Sequence, residues 1–477
     1  MSFDISILEK IFSHAICDPF QIAISQKEET KSYAVLSTDI KLTASKLISK
    51  GVDKQQCVMV SASNDYCFIC CYFAIHLIGA KVIIFAPDID IQHKNSIRKT
   101  TKPSLLIDNC SSFSRNIADY DEYASNQICN HSISDIMFTS GTTGKAKGVP
   151  LTHNQILGST KHIIKAVKNT NADTELLLMP LSHSFGMGRM RTTLFAGGTL
   201  ILGYRLQRLK SIFKAMELHN VTGLGLVPSA WKFITNISGN FITKYATQLK
   251  YIELGSAHLT LEEKSELTLW FPDTHLVMHY GLTEVSRALY TNLHIDDHRA
   301  TGLICNDSEV KIINENQEFL NDNETGEILL KAPWMLDEYY NNHKLNEKNF
   351  LNGYIKTGDQ GYLNGNYLFL TGRILEMINV GGKKVSPYYI EQIINNFDFV
   401  KESACVGLPD KVSGELVHAF IVLNPNINIE EKAATDQLEK NISSMLQVYM
   451  RPSSYNYLGS LPKTPTGKIQ RMKLIKS

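Results

Sequence analysis

The sequence predicts an α/β protein: a large N-terminal domain of parallel-rich sheets layered with helices and carrying a small β lobe, followed by a small α+β C-terminal domain. Three observations carry this. Short, continuously apolar strands alternate with helical stretches in the first part of the chain, short strands with turn signals follow after about residue 300, and a β–α rhythm returns from Pro387.

At 477 residues the chain holds two to four packed units' worth of length. Hydrophobic residues are 43% and charged residues 20%, the proportions of a globular protein. The formal net charge is +1 with Lys and Arg spread along the chain, so no nucleic acid is expected as partner and any phosphate site is local. The N-terminus has acids where a signal peptide carries basic residues, and no uncharged apolar run reaches about 18 residues. A cytoplasmic protein with no membrane span is expected. Nine cysteines, an odd number without paired metal spacing, read as free thiols of a reducing compartment. Cys67, Cys70 and Cys71 fall in an apolar run that suits a buried helix rather than zinc.

Along the chain, residues 34–50 are amphipathic and read as a helix. Cys57–Ser61 and residues 81–86 read as buried strands, and residues 176–179, Thr199–Leu202 and residues 223–227 resume the parallel pattern. Loops after such strands are where ligands bind. Residues 310–313, Gly326–Lys331 and residues 361–370 read as strands of the β lobe, about 303–373. A boundary near Gly372-Arg373 divides domains 1–373 and 374–477. In the second, helices are expected at 388–396 and 433–446 and strands at 402–407 and 417–423.

Asp135-Ile-Met-Phe138 reads as a buried strand end that runs into Thr139-Ser-Gly-Thr-Thr-Gly-Lys-Ala-Lys-Gly148. Gly141, Gly144 and Gly148 permit close backbone approach, Thr139, Ser140, Thr142 and Thr143 offer donors, and Lys145 and Lys147 offer charge, the makings of a polyphosphate loop. It is not a Walker A loop, because the Gly-x4-Gly-Lys-Ser/Thr spacing fails from both Gly141 and Gly144. Gly197-Gly198 and Gly186-Met-Gly188 read as tight turns or close contacts.

Together with Gly79-Ala-Lys-Val-Ile-Ile-Phe-Ala-Pro87, Pro180-Leu-Ser-His-Ser-Phe-Gly186, Gly255-Ser-Ala257, His279-Tyr-Gly-Leu-Thr-Glu284, Thr357-Gly-Asp359, Gly372-Arg373 and Pro462-Lys-Thr-Pro-Thr-Gly-Lys468, this loop closely resembles the adenylate-forming superfamily. That superfamily includes acyl-CoA synthetases, which the chain resembles most, adenylation domains of nonribosomal peptide synthetases, and luciferases. The likeness covers nearly the whole chain. It implies a large domain that holds ATP and the acid, and a small mobile domain that closes over them. It also implies that Tyr280, next to Gly281, stacks on adenine beside Gly255, Ser256 and Ala257, that Thr283 bonds the α-phosphate and that Glu284 holds Mg²⁺. By the same resemblance Asp359 accepts the ribose hydroxyls, Arg373 adds a charged fork, and Lys468 reaches the transition state. Alone, Glu284 would read as a helix-start acid, Asp359 as a turn residue, and Lys468 as one more cation in a solvated tail with Lys463, Arg471, Lys473 and Lys476.

The segment from His183 to Arg191 resembles the one that lines the acid pocket, which implicates His183, Ser184, Gly186, Gly188 and Gly255. His183 resembles the histidine on the carboxylate side; its alternative is a satisfied core histidine. Amino-acid-activating relatives pair the substrate ammonium with a carboxylate where this chain has Ser184, so an acid without an α-amine is expected. Gly186 and Gly188 are expected to leave room for a chain. Arg189 and Arg191, two apart, point to different sides of a helix, so at most one faces the pocket; the alternative is a surface or inter-lobe salt bridge. Gly381 and Gly382 correspond to the segment that lines the pantetheine tunnel. Leu375 stands where a hinge Asp or Lys is expected, and Ala146 where Pro is common.

The expected activity is ATP- and Mg²⁺-dependent conversion of a small carboxylic acid to its acyl-adenylate, with transfer to CoA. An alternative is a stand-alone adenylation protein that loads the phosphopantetheine arm of an acyl or peptidyl carrier protein. A third reading, a non-catalytic interaction protein, predicts loss of Glu284, Asp359, Arg373 or Lys468, and all four are present.

Overall fold

Val58, Met59 and Val60 are sealed from solvent on both faces of their strand, as a parallel sheet covered by helices requires. In the computed structural model, which describes residues 5–27, 29–123, 129–139, 147–257, 259–305, 307–463 and 469–475, three sheets order the chain. The first runs Leu105–Ile107, Cys57–Ser61, Lys81–Phe85, Ile133–Thr139, all parallel, and ends on the antiparallel Lys147–Thr152. The apolar helix Tyr66–Ile78 packs beside it, started by the Asp65 carboxylate on the Phe68 amide and stopped by Gly79 at φ 82°. Cys70 and Cys71 are buried in it as free thiols.

A second sheet of 14 strands begins as a parallel array: Ile22–Gln26, Thr199–Leu202, Thr174–Leu176, Gly223–Leu226, Tyr251–Gly255 and His275–Leu282. It continues antiparallel through Ser286–Asn292, Gly302–Leu303, Tyr367–Arg373, Tyr354–Asn364, Gly326–Lys331 and Glu309–Ile313. The β lobe is therefore an extension of this sheet. The single strand expected over 361–370 is corrected to a hairpin, because Gly365 at φ 57° turns the chain between two strands. The third sheet pairs Val400–Asp410 with Gly414–Leu423 and is backed by Pro387–Asn395 and Glu431–Met445, within one or two residues of the expected helices.

The helix Ser184–Ala196 is tied to both large sheets. Arg189 Nε and Nη2 donate to Glu175 at 2.7 and 2.5 Å, and Nη1 donates to Glu253 at 3.0 Å. Arg191 bonds the Tyr72 hydroxyl and the Asp135 carboxylate, which also meets His76 Nε2 at 2.8 Å. All of these charged groups are buried. The surface salt bridge allowed for Arg189 and Arg191 is thus corrected: two residues apart on a helix, they point to different carboxylates, one set on each sheet.

Two buried histidines make stability depend on pH. Burial holds His153 down to about 3 and His162 down to about 4. Below pH ~6.5 the unfolded chain binds protons that these folded imidazoles refuse, so stability present above that pH falls by about 1.4 kcal/mol per unit per histidine until the folded values are reached. Urea unfolding at about pH 7, 6 and 5 should show a falling midpoint, and His162→Asn should flatten the slope. Parallel profiles for the two proteins would contradict this account.

Candidate active site

Strand His275–Leu282 delivers Tyr280 and Gly281 to its end, and Thr283 and Glu284 follow in the turn to Ser286–Asn292. The Tyr280 hydroxyl donates to Asp359 Oδ2 at 2.7 Å. Arg373 Nε meets Asp359 Oδ1 at 2.9 Å, because Asp359 and Arg373 face each other across the hairpin. Asp359 is 3% exposed and its N–H donates to Thr357 Oγ1 at 3.0 Å. Burial pushes the Tyr280 phenol up, and the Asp359 charge adds to this, so it stays a donor. Burial alone would weaken the Arg373 cation; Asp359, together with Tyr388, Glu376 and Tyr280, more than restores it.

Glu284 is tied on its other side. Its Oε1 accepts from the Tyr339 hydroxyl at 2.9 Å, and its carbonyl accepts from the Leu336 amide at 2.9 Å. Lys147 Nζ stands 5.8 Å from the centre of the Tyr339 ring, and the Tyr340 amide donates to the Gly148 carbonyl at 2.9 Å. Trp334 Nε1 holds the Val285 carbonyl at 2.8 Å. Residues 334–340 thus lace the Glu284 turn to strand Lys147–Thr152. Sequence reasoning missed Tyr339, since Asp337-Glu-Tyr-Tyr-Asn-Asn342 reads as an exposed turn.

At the start of the helix, His183 is the N-cap of Ser184–Ala196 and the Ser184 carbonyl accepts from Arg287 Nη1 at 3.5 Å. Phe185 stands edge-on to His279, ring centres 4.7 Å apart. His279 Nδ1 lies 2.8 Å from Glu253 Oε1, which also receives Arg287 Nε at 2.6 Å. Burial pushes the Glu253 carboxyl up, but Arg287 and Arg189 outweigh it and hold it well below the usual range, whereas burial keeps His279 below its ordinary value. A Cβ on Gly255 would lie 2.2 Å from the His279 ring, so that glycine is required by the packing beneath it. The expectation that Gly186 and Gly188 leave room for a chain is corrected. A Cβ on the first would fall 2.2 Å from the Pro180 carbonyl oxygen, and one on the second 2.2 Å from Arg287 Nη1. Ser256 and Ala257 are exposed beyond Gly255, with Ser256 in the left-handed region at φ 70°.

Thr139 and Lys147 pair across the ends of the first sheet's hairpin. Ser140, Gly141, Thr142, Thr143, Gly144, Lys145, Ala146 and Lys468 lie outside the described residues. Gly381 and Gly382 form the exposed two-residue turn between Ile378–Val380 and Lys383–Val385, on the C-terminal sheet, with φ 58° and 82°. Leu375 is exposed. The solvated-tail reading is corrected for Arg471, which is buried and reaches Glu376 at 2.6 Å and Glu391 at 2.9 and 2.8 Å. Among the described residues no helix is long and apolar enough to cross a membrane, and no three His, Cys, Asp or Glu gather as a metal cage.

The profile of the AMP-binding enzyme family matches residues 13–340, and that of the AMP-binding enzyme C-terminal domain matches residues 389–468. The chain belongs to the AMP-binding enzyme family. It is 32% identical over 351 residues to 4-coumarate–CoA ligase-like 9 of Arabidopsis thaliana, covering 72% of this chain and 61% of that protein. It is 26% identical over 472 residues to 2-succinylbenzoate–CoA ligase of Listeria innocua, covering 96% of each. The chain spans 60 to 64% of the length of three Arabidopsis relatives that it matches. ATP-bound MatB from Rhodopseudomonas palustris shares its fold with a TM-score of 0.88 at 21% identity, over 99% of both chains. The α/β architecture of a large N-terminal and a smaller C-terminal domain is common to both.

Gly255→Ala should cost about 1–3 kcal/mol, because strand backbone on one side and a buried ring on the other leave the new methyl no escape. Much of that loss should vanish in a His279→Ala background. Strictly additive losses in urea unfolding would place the clash elsewhere.

Proposed function

We propose that this chain joins a small carboxylic acid to AMP and passes the acyl group to the thiol of CoA. The observation that carries the reading is the end of one strand: Tyr280 is bonded to the Asp359–Arg373 pair, and Glu284, four residues on, is bonded to the group that meets Lys147. A ribose-binding carboxylate and a metal-binding carboxylate then flank Thr283, the residue assigned to the α-phosphate. Asp359 accepts one bond on each oxygen, and a carboxylate has about four acceptor sites, so both ribose hydroxyls can join. Tyr280, with Gly281, would face adenine beside Gly255, Ser256 and Ala257.

Mg²⁺ suits this donor set, because it takes one or two carboxylates and fills its shell with phosphate oxygens and water rather than a protein cage. When bound it would neutralise phosphate charge at Glu284. The loop Thr139 to Gly148 would wrap the β- and γ-phosphates. An oxygen of the acid attacks the α-phosphorus, the bond to the β-phosphate oxygen breaks, and pyrophosphate leaves, with Lys468 countering the charge that builds on phosphorus. His183 would orient the acid carboxylate. The CoA sulfur, as thiolate, then attacks the acyl carbon and AMP departs. We assign ATP and acid binding to residues 1–373 and the moving lysine to 374–477, with the open Gly381-Gly382 turn as the pantetheine contact. The nine free thiols suit a cytoplasmic setting.

The acid is one without an α-amine, since Ser184 offers no counter-ion. Arg189 and Arg191 are matched by Glu175, Glu253 and Asp135, so neither is left to pair with a second carboxylate on the acid. The relatives' names, 4-coumarate–CoA and 2-succinylbenzoate–CoA ligase, support CoA as acceptor.

Acid-dependent ATP–pyrophosphate exchange tests this directly. Lys468→Ala should abolish exchange while ATP still binds, and near-wild-type exchange would sink the lysine's role. An acid panel run with CoA and with a carrier protein should give thioester on CoA. Thioester on the carrier alone would transfer the acceptor role, and no exchange with any acid would return the chain to the non-catalytic reading.

A further inference from the structure

We infer that Tyr339 is a positioning residue that sets the metal-side carboxylate of Glu284 and the phosphate-side cation of Lys147 in one fixed arrangement before MgATP arrives. The inference rests on the reading of Glu284 as the Mg²⁺ carboxylate. Glu284 is half-buried in a turn, on a side chain with three free torsions, and would otherwise sample several rotamers. The Tyr339 hydroxyl takes Oε1 at 2.9 Å, leaving Oε2 to meet a hard cation through a single oxygen.

The donor is itself held. Tyr339 is 3% exposed, its amide donates to Asn346 Oδ1 at 2.7 Å, and its ring stands edge-on to Phe350 at 6.2 Å. The face of the same ring receives Lys147, the first residue of the strand leaving the phosphate loop, and the next residue, Tyr340, bonds the carbonyl of Gly148. One side chain therefore spaces two groups that arrive from different sheets. An outer hydrogen bond of this kind is worth about 10–100-fold in metal affinity.

Calorimetry of ATP binding, with and without Mg²⁺, separates the two contacts. Tyr339→Phe keeps the ring under Lys147 and loses the hydroxyl. It should leave metal-free ATP affinity unchanged and raise the Mg²⁺ concentration for half-maximal tightening by about tenfold. Tyr339→Leu should weaken metal-free ATP binding as well. A Mg²⁺ titration of Tyr339→Phe that superimposes on the wild type, while Glu284→Gln shifts it, overturns the inference alone. An unshifted Glu284→Gln overturns the metal reading and the inference with it. An equal loss with and without metal in Tyr339→Phe marks a merely structural role and also counts against the proposal.

Discussion

Burying two guanidinium groups in one helix is the constraint on which the rest of the large domain depends. Each would cost several kcal/mol without a matched carboxylate, and removing one partner of such a pair typically costs about 3–5 kcal/mol. Ser184–Ala196 carries both, and the acids that answer them stand on strands of two different sheets: Glu175 and Glu253 on the larger, Asp135 on the smaller. The helix therefore has one acceptable position relative to both. The strand of Glu253 ends at Gly255, the strand of Asp135 ends at Thr139, and the helix begins at His183. Fixing the three buried acids fixes the two strand ends and the helix start relative to one another.

Much of this was legible in advance, and the reason is local. Strands buried on both faces leave continuous apolar runs, so Cys57–Ser61, Thr199–Leu202 and Gly326–Lys331 were found to the residue. The hairpin over 354–373 was misread because the Asn364-Gly turn signal between two apolar runs was passed over; the pairing makes it plain. The β lobe's continuity with the parallel array is likewise a matter of hydrogen-bond register, which leaves no composition signal.

The site was partly legible for a different reason. Phosphate and ribose chemistry restricts residue types, so Thr283, Glu284, Asp359 and Arg373 stood out through their motifs. Groups that act through packing did not. Tyr339 lies in a polar stretch that reads as solvent-facing, and its burial follows from its place in the core cluster with Trp334 and Leu336 and from Phe350 against its ring. Arg471 looked like one cation among several, until the fold set Glu376 and Glu391 beside it. Gly186 and Gly188 allowed both close contacts and room for a chain, and the structure keeps the first; a missing side chain is indistinguishable in sequence from a space filled by someone else's.

That last distinction limits where the protein can evolve. From Phe185 to Arg191 the helix is wholly committed: to the His279 ring, the Pro180 backbone, the Arg287 guanidinium and two sets of buried acids. Drift at these positions cannot open space without dismantling the framework that surrounds them. Heritable change near the helix start has its freedom at Ser184 and at the exposed Ser256-Ala257 bend, whose side chains carry none of the buried charge. A lineage that diverges while keeping its fold would bear its differences there.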